Sequence, residues 1–269
     1  MMKFGICASF RQVAAFPALN VDYLEENVQH FLMPERSQEA FAEQLREARR
    51  VLPFPIEVAN VFFPGNFPLL ATPERSVDRE RVERYVRTVL RRAEEAGIRV
   101  IVFGSGGARA CPEGYERAEA IQQIADYLAT WSDWGKEHGV RIALEPLRYQ
   151  ETNVINTVAE GGELVASIAT SGAGLLVDTY HMASNREAPA SIAVVAPYLA
   201  HVHVAELEER SAPGVHGEDF RPYFSVLQQC GYDQRISIEC HWKDMATEVG
   251  PALETIRAQW MWYSQAERD

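Results

Sequence analysis

Glu145, Asp178, His203 and Glu239 stand at the ends of short apolar runs, in four successive segments of a 269-residue chain. Three carboxylates and one imidazole make a hard, oxygen-rich donor set. Such a set suits an octahedral divalent cation better than the closed Cys/His tetrahedron of a structural zinc, with Mn²⁺ expected first and Mg²⁺ or Co²⁺ acceptable. An ion with few protein ligands keeps positions open for adjacent substrate oxygens, where it polarises a carbonyl and stabilises an enediolate. The plainer alternative is four unrelated polar residues at segment ends. Their repetition in four consecutive segments favours a shared site.

Parity sorts the neighbours. Side chains alternate along a strand, so His201 and His203 face the same way in different layers. His203 lies nearer the end and is the expected ligand, with His201 a core residue of the next layer. His241 shares the side of Glu239 but falls in the loop, and a structural role is expected for it. A second carboxylate, Glu151, follows Glu145 in the loop that Pro146 opens.

These positions need a scaffold that gathers strand ends. Strands are predicted over Lys3–Ala8, Asp22–Val28, Ile56–Asn60, Ile98–Phe103, Val140–Glu145, Leu175–Asp178, His201–Ala205 and Ile236–Glu239. Helices are predicted over Ser37–Leu52, Asp78–Ala96, Tyr115–His138, Thr157–Ala169, Ala188–Ala196, Phe220–Cys230 and Thr247–Tyr263, with Gly97, Gly139 and Gly231 as stops. Tyr23-Leu24-Glu25-Glu26 is ambiguous between strand and helix. Strand–helix alternation calls for a parallel sheet. Eight such units in this length predict a closed α/β barrel, (β/α)₈, as a single domain over residues 1–269, in preference to an open doubly wound sheet.

Composition narrows the partners. Hydrophobic residues at 47% and charged residues at 24% are ordinary for a soluble globule. A net charge of −12 argues against nucleic acid and anionic membrane, both of which need a basic face. Cys7, Cys111, Cys230 and Cys240 are scattered without a CxxC pair, as expected of a reduced, cytoplasmic setting. No signal peptide and no membrane-spanning run is read from the chain.

Several ordered phrases carry a resemblance: Leu144-Glu145-Pro146-Leu147 with Glu151-Thr152-Asn153, then Asp178-Thr179-Tyr180-His181-Met182, His201-Val202-His203, Arg210 ahead of Pro213-Gly214, and Ile238-Glu239. In this the chain resembles the sugar isomerase/epimerase family of xylose-isomerase-like TIM barrels, which includes ketose 3-epimerases, hydroxypyruvate isomerase and inosose isomerases. The resemblance implies metal ligation by Glu145, Asp178, His203 and Glu239, with Glu145 and Glu239 doubling as an acid/base pair. It implies that Glu151, His181 and Arg210 bind the substrate. The activity implied is isomerisation or epimerisation of a ketose or small keto-sugar by proton transfer through an enediolate, in a homo-dimer or tetramer. An inosose-type isomerase or dehydratase is the alternative on the same metal site. More distant are an abasic-site endonuclease, whose early-strand histidines are missing here, and a non-catalytic sugar-binding barrel, which has no need of two facing carboxylates.

Other signals are weaker. Gly104-Ser105-Gly106-Gly107 lacks the features of a P-loop and reads as a tight turn after a strand, with Arg109 a candidate for an anionic substrate group. Cys7 is expected to be a small buried core residue. Phe62, Phe63 and Phe67 could form a lid, a subunit contact or core. Trp242 is a candidate wall of the site, and Trp260, Trp262 and Tyr263 are expected to pack on the barrel or on a partner chain.

Overall fold

Eight parallel strands form from the apolar runs: β1 Lys3–Cys7, β2 Tyr23–Asn27, β3 Ile56–Asn60, β4 Val100–Phe103, β5 Arg141–Leu144, β6 Ala173–Asp178, β7 Leu199–Val204 and β8 Arg235–Ile238. The computed structural model describes residues 2–16, 19–168 and 172–266, with side chains to residue 262. The strands pair in sequence order, and β1 closes the barrel against β8, Gly5 lying beside Ser237. Chain and geometry thus make a closed (β/α)₈ barrel.

Strands covered on both faces read as continuous apolar runs, as Val100-Ile101-Val102-Phe103 does. Inward residues Tyr23, Val58, Val100, Val102, Ala143, Leu176 and Ala200 fill the interior. The outward ones, such as Ile101, Phe103 and Ile142, join the helices in a larger core. Gly5 is required by this filling, because a Cβ there would lie 2.5 Å from the Tyr23 ring.

The principal helices are Gln38–Val51, Arg79–Ala96, Arg117–Glu137, Val158–Ser167, Arg221–Gln229 and Met245–Ala266. Ser37 caps the first by accepting from Ala40 N at 3.3 Å, and Gly97 at φ 87° ends the second in the left-handed conformation a C-cap favours. The predicted end of the fourth at Ala169 lies outside the described residues.

One ambiguity is settled and two stretches differ from expectation. The ambiguous Tyr23–Glu26 is strand, because pairing with β1 and β3 on both sides outweighs its local preference. It runs into a single π-helical turn, Val28–Leu32, which no apolar period announces. The predicted helix Ala188–Ala196 is instead a succession of short turns, Pro189–Ser191, Ile192–Val195 and Ala196–Tyr198. Among the described residues no helix is long and apolar enough to cross a membrane.

Candidate active site

Asp178 is the last residue of β6, and His203 pairs with it in register on β7. Glu145 and Glu239 stand one residue beyond β5 and β8. Their backbones still follow the ladder: Glu145 N donates to Phe103 O at 3.2 Å and Glu239 N to Val204 O at 3.0 Å. Both carboxylates therefore face the barrel mouth as a strand residue would. One donor atom from each of the four residues lies within 4.8 Å of the others.

His203 Nδ1 sits 3.4 Å from Glu145 Oε1 and 3.3 Å from Glu239 Oε2. Neither His203 Nδ1 nor Glu145 Oε1 has a hydrogen-bond partner among the described residues, although both atoms are buried. Orphaned buried polar atoms are costly, and two that converge among carboxylates mark a place for a cation. The donor chemistry fits a divalent ion, and Glu145, Asp178, His203 and Glu239 are the residues that could hold it.

The electrostatics divide the two glutamates. Burial pushes the Glu145 carboxyl above its ordinary value, against the pull of His203. Burial also opposes ionisation of Glu239, but the charges of His203 and Arg210 outweigh it and hold that carboxyl down at about 2. The His203 imidazole is likewise penalised by burial, yet the charges of Glu25 and Glu239 raise it well above the usual histidine value.

Glu145 and Glu239 open onto a pocket of about 250 Å³ at the C-terminal end of the strands, and Glu151, His181 and Arg210 line it with them. His181 Nε2 lies 3.5 Å from Asp178 Oδ2 and 3.8 Å from Glu145 Oε1. Arg210 Nη2 meets Asp178 Oδ2 at 3.3 Å and also bonds Glu239 Oε2, while its Nε donates to Glu239 O at 3.2 Å. Glu151 accepts from Arg148 Nε at 2.7 Å. Five of the seven residues that the sequence proposed as ligands or substrate contacts line this cavity, and Asp178 and His203 adjoin it through their donor cluster with Glu145 and Glu239. A groove of about 290 Å³ beside Leu45, Leu52, Phe54 and Ile56, at the start of β3, has no comparable set of convergent polar groups.

Supporting residues were not foreseen. Glu206, fully buried just beyond β7, accepts from the backbone N–H groups of Gly214, His216, Gly217 and Glu218 at 2.6–3.2 Å. It ties down the loop that presents Arg210, where Glu209 and Arg210 both adopt positive φ, 58° and 53°. Glu25 on β2 is fully buried against His201 and His203. The only sequence signal for either was a carboxylate within or beside an apolar run.

Some of the other expectations are corrected and some agree with the structure. Arg109 is fully buried and donates to the carbonyls of Gly104, Glu145 and Val154 at 2.6–2.9 Å, so it braces the loops and does not face a substrate anion. Burial pulls its guanidinium down to about 10, against the charges of Glu145 and Glu160. Residues Gly106–Arg109 form a helical turn where a plain turn was expected. Cys7 is only half-buried, and its sulfur approaches Glu25 and His203. Phe62, Phe63 and Phe67 are buried among Tyr85, Phe103 and Trp131, a core cluster and no lid. Trp242 donates to Cys7 O at 3.3 Å, His241 meets Glu209 O at 3.2 Å, and His201 is a core residue. Trp260 packs on Phe4 and Phe224, Trp262 is half-exposed, and the Tyr263 side chain lies outside the described residues.

The fold and the acidic cluster define a parallel barrel with a cation-sized donor set at the C-terminal end of its strands. Residues 13–263 match the xylose isomerase-like TIM barrel family, and the chain belongs to that family. It is similar to an L-ribulose 3-epimerase of Methylomonas sp. (strain DH-1), 31% identical over 54% of this chain and 48% of the relative. An L-ribulose 3-epimerase of Mesorhizobium japonicum is 26% identical over 75% and 67% of the two chains. An inosose isomerase of Bacillus subtilis is 27% identical over 46% and 48%. The match to the Methylomonas and Bacillus proteins thus spans about half of their length. Among solved structures, an L-ribulose 3-epimerase superposes with a TM-score of 0.79 at 17% identity, covering 100% of this chain and 97% of the other. The IolI protein, described with a zinc atom, superposes at 0.71 and 16% identity over 97% of each.

Proposed function

We propose that this protein is a divalent-metal-dependent sugar isomerase or epimerase acting on a ketose or small keto-sugar. The observation that carries the reading is the pair Glu145 and Glu239. Their carboxylates flank His203 at the mouth of a sugar-sized pocket, and their environments push their proton affinities apart. Similarity to the epimerases and the inosose isomerase supports the reaction class.

A divalent cation bound by Glu145, Asp178, His203 and Glu239 would polarise the substrate carbonyl and stabilise the enediolate; Mn²⁺ suits the oxygen-rich set, with Mg²⁺ or Co²⁺ as substitutes. Glu239, the more readily ionised carboxylate, takes the proton from the carbon beside the carbonyl. Glu145, the more readily protonated, supplies one on the other side. Delivery to the opposite face of the same carbon gives an epimer; delivery to the neighbouring carbon gives an isomer. Arg210 lies close enough to Glu239 to hold it in place and to donate to a substrate oxygen. His181 and Glu151 offer further partners for hydroxyl groups. The reading includes a homo-dimer or tetramer in the cytoplasm.

The inosose isomerase relative favours a second substrate class, inositol-derived ketones, on the same residues. The test is incubation of Mn²⁺-loaded protein with panels of ketoses and inososes in deuterated water. Label should enter at the carbon beside the carbonyl, and E239Q should lose the exchange. Exchange that persists undiminished in E239Q overturns the acid/base assignment.

A further inference from the structure

Glu25 projects from β2 into the barrel interior and meets two imidazoles of β7, one with each oxygen. Its Oε2 lies 2.8 Å from His201 Nε2, and its Oε1 lies 2.9 Å from His203 Nε2. All three residues are fully buried. An ionised carboxylate only accepts, so each Nε2 carries a hydrogen directed at Glu25. The His203 ring is thereby held through Nε2, and Nδ1 is the nitrogen turned towards Glu145 and Glu239. That Nδ1 has no hydrogen-bond partner among the described residues.

We propose that Glu25 is the positioning residue of the candidate metal centre. It sets the orientation of the His203 ring and keeps the ring hydrogen on Nε2, so that the Nδ1 electron pair is presented to a divalent cation. The inference rests on the reading of Glu145, Asp178, His203 and Glu239 as a cation site. A metal-bound imidazole commonly donates its second nitrogen to a carboxylate, and that partner fixes both tautomer and ring plane.

His201 completes the device. With one N–H on each oxygen, Glu25 cannot turn without losing a bond. Ser237 Oγ, 3.3 Å from His201 Nε2 and 2.7 Å from the Tyr23 hydroxyl, continues the support deeper into the barrel. Cys7, Glu25 and His203 also bring donor atoms together. Both Glu25 oxygens there already accept from imidazoles, so this trio is part of the brace and not a second ion site.

The test is Mn²⁺ titration of the metal-free protein at fixed pH, with the free aquo ion followed by electron paramagnetic resonance. The parent chain should bind one ion. E25Q fills the same space but offers one acceptor and one donor, and E25A offers neither; both should bind about 10–100-fold more weakly. E25D retains two acceptor oxygens and should recover part of the loss. Circular dichroism and thermal melts of the metal-free variants establish that the barrel is intact. A folded E25Q or E25A with parental affinity overturns the positioning role. A parent chain that binds no Mn²⁺ instead overturns the reading of the site itself. One measurement needs no variant: in the Zn²⁺-loaded parent, long-range ¹H–¹⁵N correlations should place the His203 hydrogen on Nε2. Ligation through Nε2 would contradict the proposal.

Discussion

Gly104 and Glu145 are in a contact that only glycine permits: a Cβ built on Gly104 would lie 2.2 Å from Glu145 Oε2. Gly104 does not have positive φ, so the constraint is space and not backbone conformation. G104A should leave the barrel folded but push the Glu145 carboxylate out of line. Displacement of a reacting group by about 1 Å costs on the order of 100-fold in rate. Turnover on the responsive sugar, compared with the circular dichroism of the same variant, checks this. Parental turnover in G104A would mean that Glu145 has slack the geometry does not show.

Glu145 should cost stability when no cation is present. Burial raises its carboxyl above the unfolded value, so the native state holds that proton more tightly than the unfolded state does. The associated stability is full below the unfolded pKa and is lost as pH rises through the native one. At pH 8 the metal-free E145Q should therefore melt above the parent, by about 2–4 °C per kcal/mol in a chain of this size. The same variant should bind Mn²⁺ more weakly. Differential scanning calorimetry on both proteins without metal reads the first effect, and metal titration reads the second.

Arg210 should separate metal binding from turnover. Its guanidinium is shared by Asp178 and Glu239, whose charges raise it further despite burial. R210M removes the positive charge beside the carboxylates and leaves every metal donor in place. Mn²⁺ affinity should be equal to or greater than the parent's, while turnover falls about 100-fold or more, as for loss of a charge-stabilising donor. A large drop in affinity with parental turnover would reverse the assignment.

Glu26 should impose a pH dependence unrelated to catalysis. It is 2% exposed on β2, and burial pushes its carboxyl up to about 7, against the N–H groups of Phe10 and Asn27. The native state therefore binds more protons than the unfolded chain between about pH 4.5 and 7, and stability falls as pH rises through that window. The full effect is on the order of 3 kcal/mol. Urea midpoints measured from pH 5 to 8 should fall in the parent and change much less in E26Q. Equal slopes in the two proteins would count against the shift.

Much of this was legible from residue types alone. Four donors at the ends of four apolar runs pointed to one rim because a parallel barrel puts every strand terminus on the same side, whereas Glu151, His181 and Arg210 were implied only by the family resemblance. The alternation of strands and helices was readable because burial on both faces leaves unbroken apolar runs such as β4. Tyr23–Glu26 was readable only as an ambiguous strand, since its state is settled by pairing with β1 and β3, which its own four residues do not encode.

By itself, then, the sequence determined the barrel and the identity of the groups at its mouth, through local apolar periodicity and the chemistry of single side chains. Only the tertiary structure decided how those groups are held. The Glu25 brace joins β2 to β7, the Glu206 anchor gathers backbone N–H groups across a loop, and Gly104 clears space for Glu145 on the next strand. Arg109 shows the same division: its charge suggested a substrate anion, and its three carbonyl partners made it a buried brace. Each of these depends on distances between residues far apart in sequence, and such distances exist only once the barrel has closed.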